Sequence, residues 1–360
     1  MRCHPSHLIF PEQQVRDIKR NTNMDPERIL IFELNWMGDI LFSTPLIRAL
    51  RERFPQAYIS CAVVPRYADL LKHSPRVNDV IALSDSGSIV SIGEKLAFTG
   101  MIRKERYDTC FFLKPSLTKT SMAVWAGIRE RIGFTGKEVS LTRAVEMPGG
   151  RVHRADQLLS LAGALGITEA DGTYEHFVNE EDEARAALLL EKAGGGVYRT
   201  VALNPGGNWD AKRWPAENYV ELARQLLDKY PHIEIMITGA KKDKKLADSM
   251  LKAIDSKRCY SVAGLTGLNE LAAMFKASEL VISADSGPLH LASASGVTTI
   301  GLYGPTSRDV TGPRGKGRNI VITGHHDCEV PCYVEECDKD YICMKSIKAD
   351  EVFKAAAGVL

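Results

Sequence analysis

Four stretches of this chain carry residue types that could do chemistry. The first is Ser283-Ala284-Asp285-Ser286-Gly287-Pro288-Leu289-His290. It follows the apolar run Leu280-Val281-Ile282, which reads as a buried parallel strand, and leads into Leu289, Ala292 and Ala294, one face of a helix. Ser286 or Gly287 can serve as N-cap, and Pro288 then falls where a helix tolerates proline. A strand, a tight turn and a helix N-terminus form an anion site, because the first helical amides are unpaired and the dipole is positive there. Asp285 falls at the carboxyl end of its strand, the ligand side of an open α/β sheet. Asp285 and His290 could form an acid–base pair, although a buried His290 that supports the turn is the simpler reading.

The second stretch is Asn204-Pro205-Gly206-Gly207, again at a strand end, where glycines admit close backbone approach to a ligand. Lys212 and Arg213 follow, and Tyr303-Gly304-Pro305-Thr306 ends a further strand. Any one of these turns could be a plain connector. Three of them beside a lysine suit a phosphate or diphosphate.

The third stretch, Leu34-Asn35-Trp36-Met37-Gly38-Asp39, follows the apolar run Arg28–Phe32. A dinucleotide fold would show G-x-G-x-x-G here, and the chain has one glycine and a carboxylate instead. A carboxylate beside a phosphate site is repelled by the ligand unless it has work, such as taking a proton from an attacking hydroxyl. Capping the next helix is the alternative, and spacing leaves both roles open.

The fourth stretch holds Cys328, Cys332, Cys337 and Cys343, with His325 and His326 just before it. The gaps differ from the paired C-x2-C knuckles of common zinc sites. Metal binding, disulfide pairing and a compact packed loop all stay open for this group, with no catalytic part for it.

The elements that must position these residues alternate in type. In the first half, strands are expected over 28–32, 58–64, 79–83, 108–113 and 131–134. Helices are expected over 66–73, 89–104, 117–127 and 154–165. The helix after Asp39 has a start signal at Thr44, with Pro45 in the first helical position. In the second half, helices are expected over 180–193, 216–229, 241–254, 268–276 and 346–357. The strands there are 200–204, 233–238, 259–262, 280–283 and 298–303. Two such alternations predict an α/β chain of two Rossmann-like, doubly wound domains with a cleft between them. The expected boundaries are 1–27, an N-terminal extension (a short helix or a loose arm); 28–175; 176–325; and 326–360, the cysteine-containing tail and C-terminal helix.

The totals fit a globular protein. The 360 residues are 44% hydrophobic and 25% charged, with a net charge of +1, so broad electrostatic binding to nucleic acid is not expected. No run approaches the roughly 18 apolar residues of a membrane span, and the first 23 residues lack a signal-peptide apolar core. The expected location is cytoplasmic, with membrane-surface contact left open. Four further cysteines, Cys3, Cys61, Cys110 and Cys259, read as reduced core residues.

Three ordered motifs give the chain a family likeness: Ile29–Leu50, Val201–Trp214 and Leu280–Thr306, with Arg131-Ile132-Gly133-Phe134 between. On these residues it resembles the ADP-heptose:lipopolysaccharide heptosyltransferases, glycosyltransferase family nine, which have the GT-B fold. The segment from Cys328 to Met344 is similar to one in the heptosyltransferase II branch. The resemblance implies an inverting transfer of heptose from ADP-heptose to a lipid-linked sugar of the lipopolysaccharide inner core, on the cytoplasmic face of the inner membrane, with no catalytic metal. By the same resemblance Asp39 is the base and Lys212 meets the donor phosphates. Asp285, Ser286 and Gly287 form the donor turn, with Gly206, Gly207 and His290 beside it. Relatives often carry hydroxyl residues just before the lysine, where this chain has Gly207 and Asn208. Arg66, Lys114, Lys119 and Lys137 are candidates to hold the phosphorylated acceptor, Lys114 first because it ends an expected strand. The competing readings are a GT-B enzyme for another nucleotide sugar, a nucleotide-sugar-binding protein without catalysis, and a nicotinamide dehydrogenase, which the missing glycine motif opposes.

Overall fold

A computed structural model describes residues 7–9, 15–17, 25–83, 92–136, 140–325, 327–332 and 337–360. It divides into two compact units, Met1–Tyr174 and Glu175–Leu360.

The first unit is built on strands β1 (His7–Ile9), β2 (Val15–Asp17), β3 (Arg28–Phe32), β4 (Tyr58–Val63), β5 (Asp79–Ala82), β6 (Thr109–Phe112), β7 (Glu130–Phe134), β8 (Arg143–Val145) and β9 (Glu169–Asp171). Seven of them form one sheet in the order β2-β8-β7-β6-β3-β4-β5. Neighbours are parallel from β5 through β8, and β2 runs antiparallel to β8. β3 lies centrally and its residues 29–32 are fully buried, which explains why it reads as an unbroken apolar run. The doubly wound order reverses between β3 and β6. Residues that follow those two strands therefore come out beside one crevice at the carboxyl edge of the sheet.

The second unit holds β10 (Arg199–Asn204), β11 (Ile233–Ile237), β12 (Cys259–Ser261), β13 (Leu280–Ala284), β14 (Thr298–Tyr303) and β15 (Asn319–Thr323). All are parallel, in the order β12-β11-β10-β13-β14-β15. This is the Rossmann order, with its switch point between β10 and β13. Helix Ala216–Lys229 buries Tyr219, Leu222, Ala223, Leu226 and Leu227 on one side, at the 3.6-residue period that marks it in the sequence.

Several elements differ from expectation. The helix after Asp39 begins at Met37, not at Thr44, and runs to Arg53 with Pro45 inside it. Proline lacks the N–H that would bond the Leu41 carbonyl, and the Thr44 hydroxyl donates to that carbonyl instead, at 2.8 Å. The Thr44-Pro45 pair thus repairs a helix interior rather than starting a helix. Residues 154–165 form an α-helix only over Arg154–Leu159, and a 3-10 helix continues to Leu165. The stretch 66–73 splits into a 3-10 turn, Pro65–Tyr67, and a single α-turn, Asp69–Lys72. The expected helix over 89–104 is present over Ile92–Lys104, and its first residues lie outside the described ones. The tail helix starts at Ala349. Strands β8, β9 and β15 were not expected. β8 and β9 have three residues each, too brief a pattern to stand out, and β15 is a five-residue, largely half-buried strand at the edge of its sheet. The N-terminal segment is neither helix nor loose arm over its described residues: β1 pairs antiparallel with β9, and β2 with β8.

Among the described residues no helix is long and apolar enough to cross a membrane.

Candidate functional site

In the second unit the residues singled out by the sequence converge at the switch point. Asn204 ends β10 and pairs in register with Ser283 of β13. Its side-chain amide donates to the Ser283 hydroxyl (3.1 Å), its Oδ1 accepts from Thr238 (3.1 Å), and its backbone carbonyl accepts from the Tyr219 hydroxyl (3.1 Å). These bonds fix the start of the Pro205-Gly206-Gly207 loop. A Cβ on Gly206 would lie 2.6 Å from Asp243 Oδ2, and that carboxylate accepts from the Ala240 N–H at 3.0 Å. Gly206 is therefore required by the packing of the loop itself. A Cβ on Gly207 would meet nothing nearer than 3.9 Å.

Asp285 sits one residue past β13, and its N–H donates to the Leu302 carbonyl. Its carboxylate is 3% exposed and meets three donors. Lys212 Nζ lies 2.8 Å from Oδ2, His290 Nε2 lies 3.1 Å from Oδ1, and the Thr311 hydroxyl donates to Oδ2 at 3.4 Å. Burial works against the charge of Asp285, but the His290 hydrogen bond and the Lys212 charge outweigh it and hold the carboxyl well below the usual carboxylate range. Ser286 is the N-cap residue of helix Gly287–Ala294, with Pro288 in its first turn. The Ser286 hydroxyl is 3.0 Å from Ser283 Oγ and makes no side-chain cap, so it does not take up a helix-end amide. The result is a lysine, a buried anion and a helix N-terminus grouped at the edge where open α/β sheets bind ligands. The arrangement can hold a diphosphate by its positive groups and a sugar hydroxyl by its carboxylate.

Sequence reading missed two residues here. Thr311, from the short helix Arg308–Thr311, closes over Asp285. Lys242 Nζ donates to the Gly207 carbonyl (3.2 Å) and to Asn208 Oδ1 (2.7 Å), adding a second cation to the glycine loop. Neither belongs to a motif, and only the fold brings them in.

In the first unit, Asp39 lies in the first turn of helix Met37–Arg53, whose N-cap is Trp36, so Asp39 is not the capping residue. Its Oδ1 is 3.9 Å from Arg154 Nε. Arg66 donates to the Asn35 carbonyl (3.1 Å) and stacks over Trp36, which is 55% exposed. Lys119 Nζ reaches the Glu33 carbonyl at 3.5 Å. Lys114 follows β6 and is exposed. Asp39, Lys114 and Lys119 therefore flank the switch point of their sheet, and Lys137 lies outside the described residues.

Cys328, Cys332, Cys337 and Cys343 line one small cavity of about 20 Å³ with Ala211, Pro305, Tyr341 and Ile342. Among the described residues no group of three or more His, Cys, Asp or Glu is arranged to hold a metal ion; His326 and Cys3 lie outside them. Burial pushes the Cys343 thiol up. Cys61 and Cys110 are buried strand residues.

Comparison with known proteins gives the site its context. The model of glycosyltransferase family 9 (heptosyltransferase) matches residues 96–342. The chain belongs to this family. Among curated family-9 relatives, lipopolysaccharide heptosyltransferase 2 of Escherichia coli K12 is 27% identical over 83% of this chain and 89% of its own length. Lipooligosaccharide heptosyltransferase 2 of Haemophilus influenzae is 26% identical over 81% and 88%. The solved E. coli ADP-heptose LPS heptosyltransferase II superposes with a TM-score of 0.76 at 25% identity, covering 92% of this chain and 98% of that one. A family-9 glycosyltransferase of Veillonella parvula shares the fold at TM-score 0.83 and 21% identity, over 94% and 99%. The chain is thus a glycosyltransferase of the heptosyltransferase family with the GT-B fold, two Rossmann-like domains.

Proposed function

We propose that this enzyme transfers heptose from ADP-heptose to the inner core of lipopolysaccharide, with inversion at the anomeric carbon. The carrying observation is the Lys212–Asp285–His290 group at the N-terminus of helix Gly287–Ala294, in a chain whose relatives are named for this donor and this glycan. Lys212 and the first amides of the helix meet the diphosphate, with Gly206 and Gly207 bringing backbone close to it. Asp285 orients the sugar, and His290 and Thr311 hold Asp285 in place. Ser286 and Gly287 form the floor of the turn.

Asp39 is the general base. The acceptor hydroxyl gives its proton to Asp39 as its oxygen bonds to the anomeric carbon. The bond from that carbon to the diphosphate breaks, and ADP leaves with the electron pair. The charge that grows on the leaving group falls to Lys212 and the helix amides, which already stand at the site, so no metal ion is required for departure. Arg154 keeps Asp39 oriented through the 3.9 Å ion pair. Lys114 is assigned to the anionic acceptor, a lipid-linked glycan that would hold the enzyme peripherally at the cytoplasmic face of the inner membrane.

The test is ADP release with ADP-heptose and a panel of truncated core acceptors. Release that requires both substrates is expected, and Asp39→Asn should lower kcat by roughly 10²–10⁴-fold with donor affinity kept. Release with a different nucleotide sugar, and none with ADP-heptose, would sink the donor. Binding of ADP-heptose without turnover on any acceptor would favour a non-catalytic binding protein. Full activity of Asp39→Asn would remove the base.

A further inference from the structure

Glu33 directly follows the central strand of the first unit and opens the loop to Asp39, and the proposed chemistry gives it no part. It is 1% exposed. Its Oε1 lies 2.9 Å from the Ser43 hydroxyl, and its Oε2 is buried with no hydrogen-bond partner. The Ser43 hydroxyl also lies 2.7 Å from the Ile40 carbonyl. A hydroxyl has one proton, so it cannot satisfy a carboxylate and a carbonyl together. The conflict at Ser43 is removed if the carboxyl carries the proton: Glu33 then donates to Ser43 Oγ, Ser43 donates to Ile40, and the unpartnered Oε2 belongs to a neutral group rather than a charged one. The backbone on either side is pinned too. The Glu33 N–H donates to the Ala62 carbonyl (3.0 Å) and the Glu33 carbonyl accepts from Lys119.

The geometry points to Glu33 as the positioning residue for Asp39, acting as a neutral acid that ties the end of the strand to the first turns of the helix that carries Asp39. The inference rests on the reading of Asp39 as base. Burial pushes the Glu33 carboxyl up to about 8, against the hydrogen bonds from Ser43 and Leu34 and the charge of Lys119, and the Asp39 charge pushes the same way as burial. The groups that face it are Lys119, which favours its ionised form, Asp39, which opposes it, and the buried Cys61 thiol. Arg154 faces Asp39 at 3.9 Å. Once Glu33 ionises, Ser43 must divide one proton between two acceptors, and a second negative charge is held close to the base. Both effects disturb the loop, so transfer falls as pH rises through about 8.

The experiment is the pH profile of kcat for wild type, Glu33→Gln and Asp39→Asn, with thermal unfolding of wild type and Glu33→Gln at each pH. Glutamine keeps the shape, stays neutral and can donate to Ser43. Glu33→Gln is expected to hold kcat within about twofold at pH 7 and to lose the alkaline fall. The unfolding arm does not depend on activity. The native chain keeps a proton that the unfolded chain releases above its ordinary 4.5, so wild-type Tm should drop relative to Glu33→Gln between pH 5 and 8 and then run parallel. Parallel curves across that range, a more than tenfold loss in Glu33→Gln at pH 7, or an alkaline limb unchanged by the substitution would each overturn the proposal. If Asp39→Asn keeps full activity, the base assignment fails, while the unfolding curves still decide whether Glu33 is buried neutral.

Discussion

At the scale of single residues, Asp285 joins the proposed donor site to the fold. Its carboxylate is buried among Lys212, His290 and Thr311, so removing it leaves a lysine and a histidine facing a hole. Asp285→Ala should lower stability by about 3 kcal/mol at pH 7, as is usual when one partner of a buried pair is lost. It should also weaken donor binding more than it slows bound-state transfer. Denaturant titration checks the first, and calorimetry with ADP-heptose beside single-turnover transfer checks the second. The pH dependence has a definite sign. The folded carboxyl is held low, so its stabilising contribution is complete above the unfolded value near 4 and fades only as acid titrates the folded state. Wild type minus Asp285→Ala should therefore be flat from pH 5 to 8. Much of this site was legible. Asp285, Ser286, Gly287 and Lys212 announce themselves by type and by place after apolar runs. Glu33 did not, because a charged residue after four apolar ones reads as the exposed end of a strand, and only the packing of Ser43 against it reveals burial. Gly206 was legible as a glycine that matters, but its reason is the neighbouring Asp243, a contact no spacing encodes.

At the scale of elements, the helix Met37–Arg53 shows a local rule overridden. Thr44-Pro45 reads as a start signal, yet the helix passes through it because all its neighbours from Ile40 to Leu50 are buried and hold the backbone in place. The Thr44 hydroxyl takes over the Leu41 carbonyl that Pro45 leaves open. Thr44→Val should therefore cost about 1–2 kcal/mol in the native background. In a Pro45→Ala background, where a backbone N–H can reach Leu41, the same change should cost much less. A double-mutant cycle by chemical denaturation measures the difference, and equal costs in both backgrounds would refute the account. Elsewhere, long elements with a full period, such as Glu180–Ala193 and Ala216–Lys229, lie where the pattern places them. The three-residue strands do not, since so short a run carries too little periodicity to declare a strand and depends on a partner far away in the chain.

At the scale of the whole molecule, the two units share one device: a parallel sheet with a switch point, and chemistry on the loops that leave it. That much follows from two alternations of strand and helix. What alternation does not foretell is how the last residues serve the second unit. Helix Ala349–Ala357 lays Val352 and Ala356 into that core. The indole of Trp214, two residues beyond Lys212, donates to the Ile347 carbonyl at 2.9 Å. Gly304 has no Cβ because Met344 Sδ would stand 2.6 Å from it. The Lys212 loop therefore rests on chain 133 residues further along. During synthesis, the Lys212 loop lacks this support until residues 344–357 have emerged, so the nucleotide binding proposed for it has to wait for them. A chain stopped after Met344 should be expressed yet fail to retain ADP in calorimetry, and a separately added 345–360 peptide should restore part of the binding.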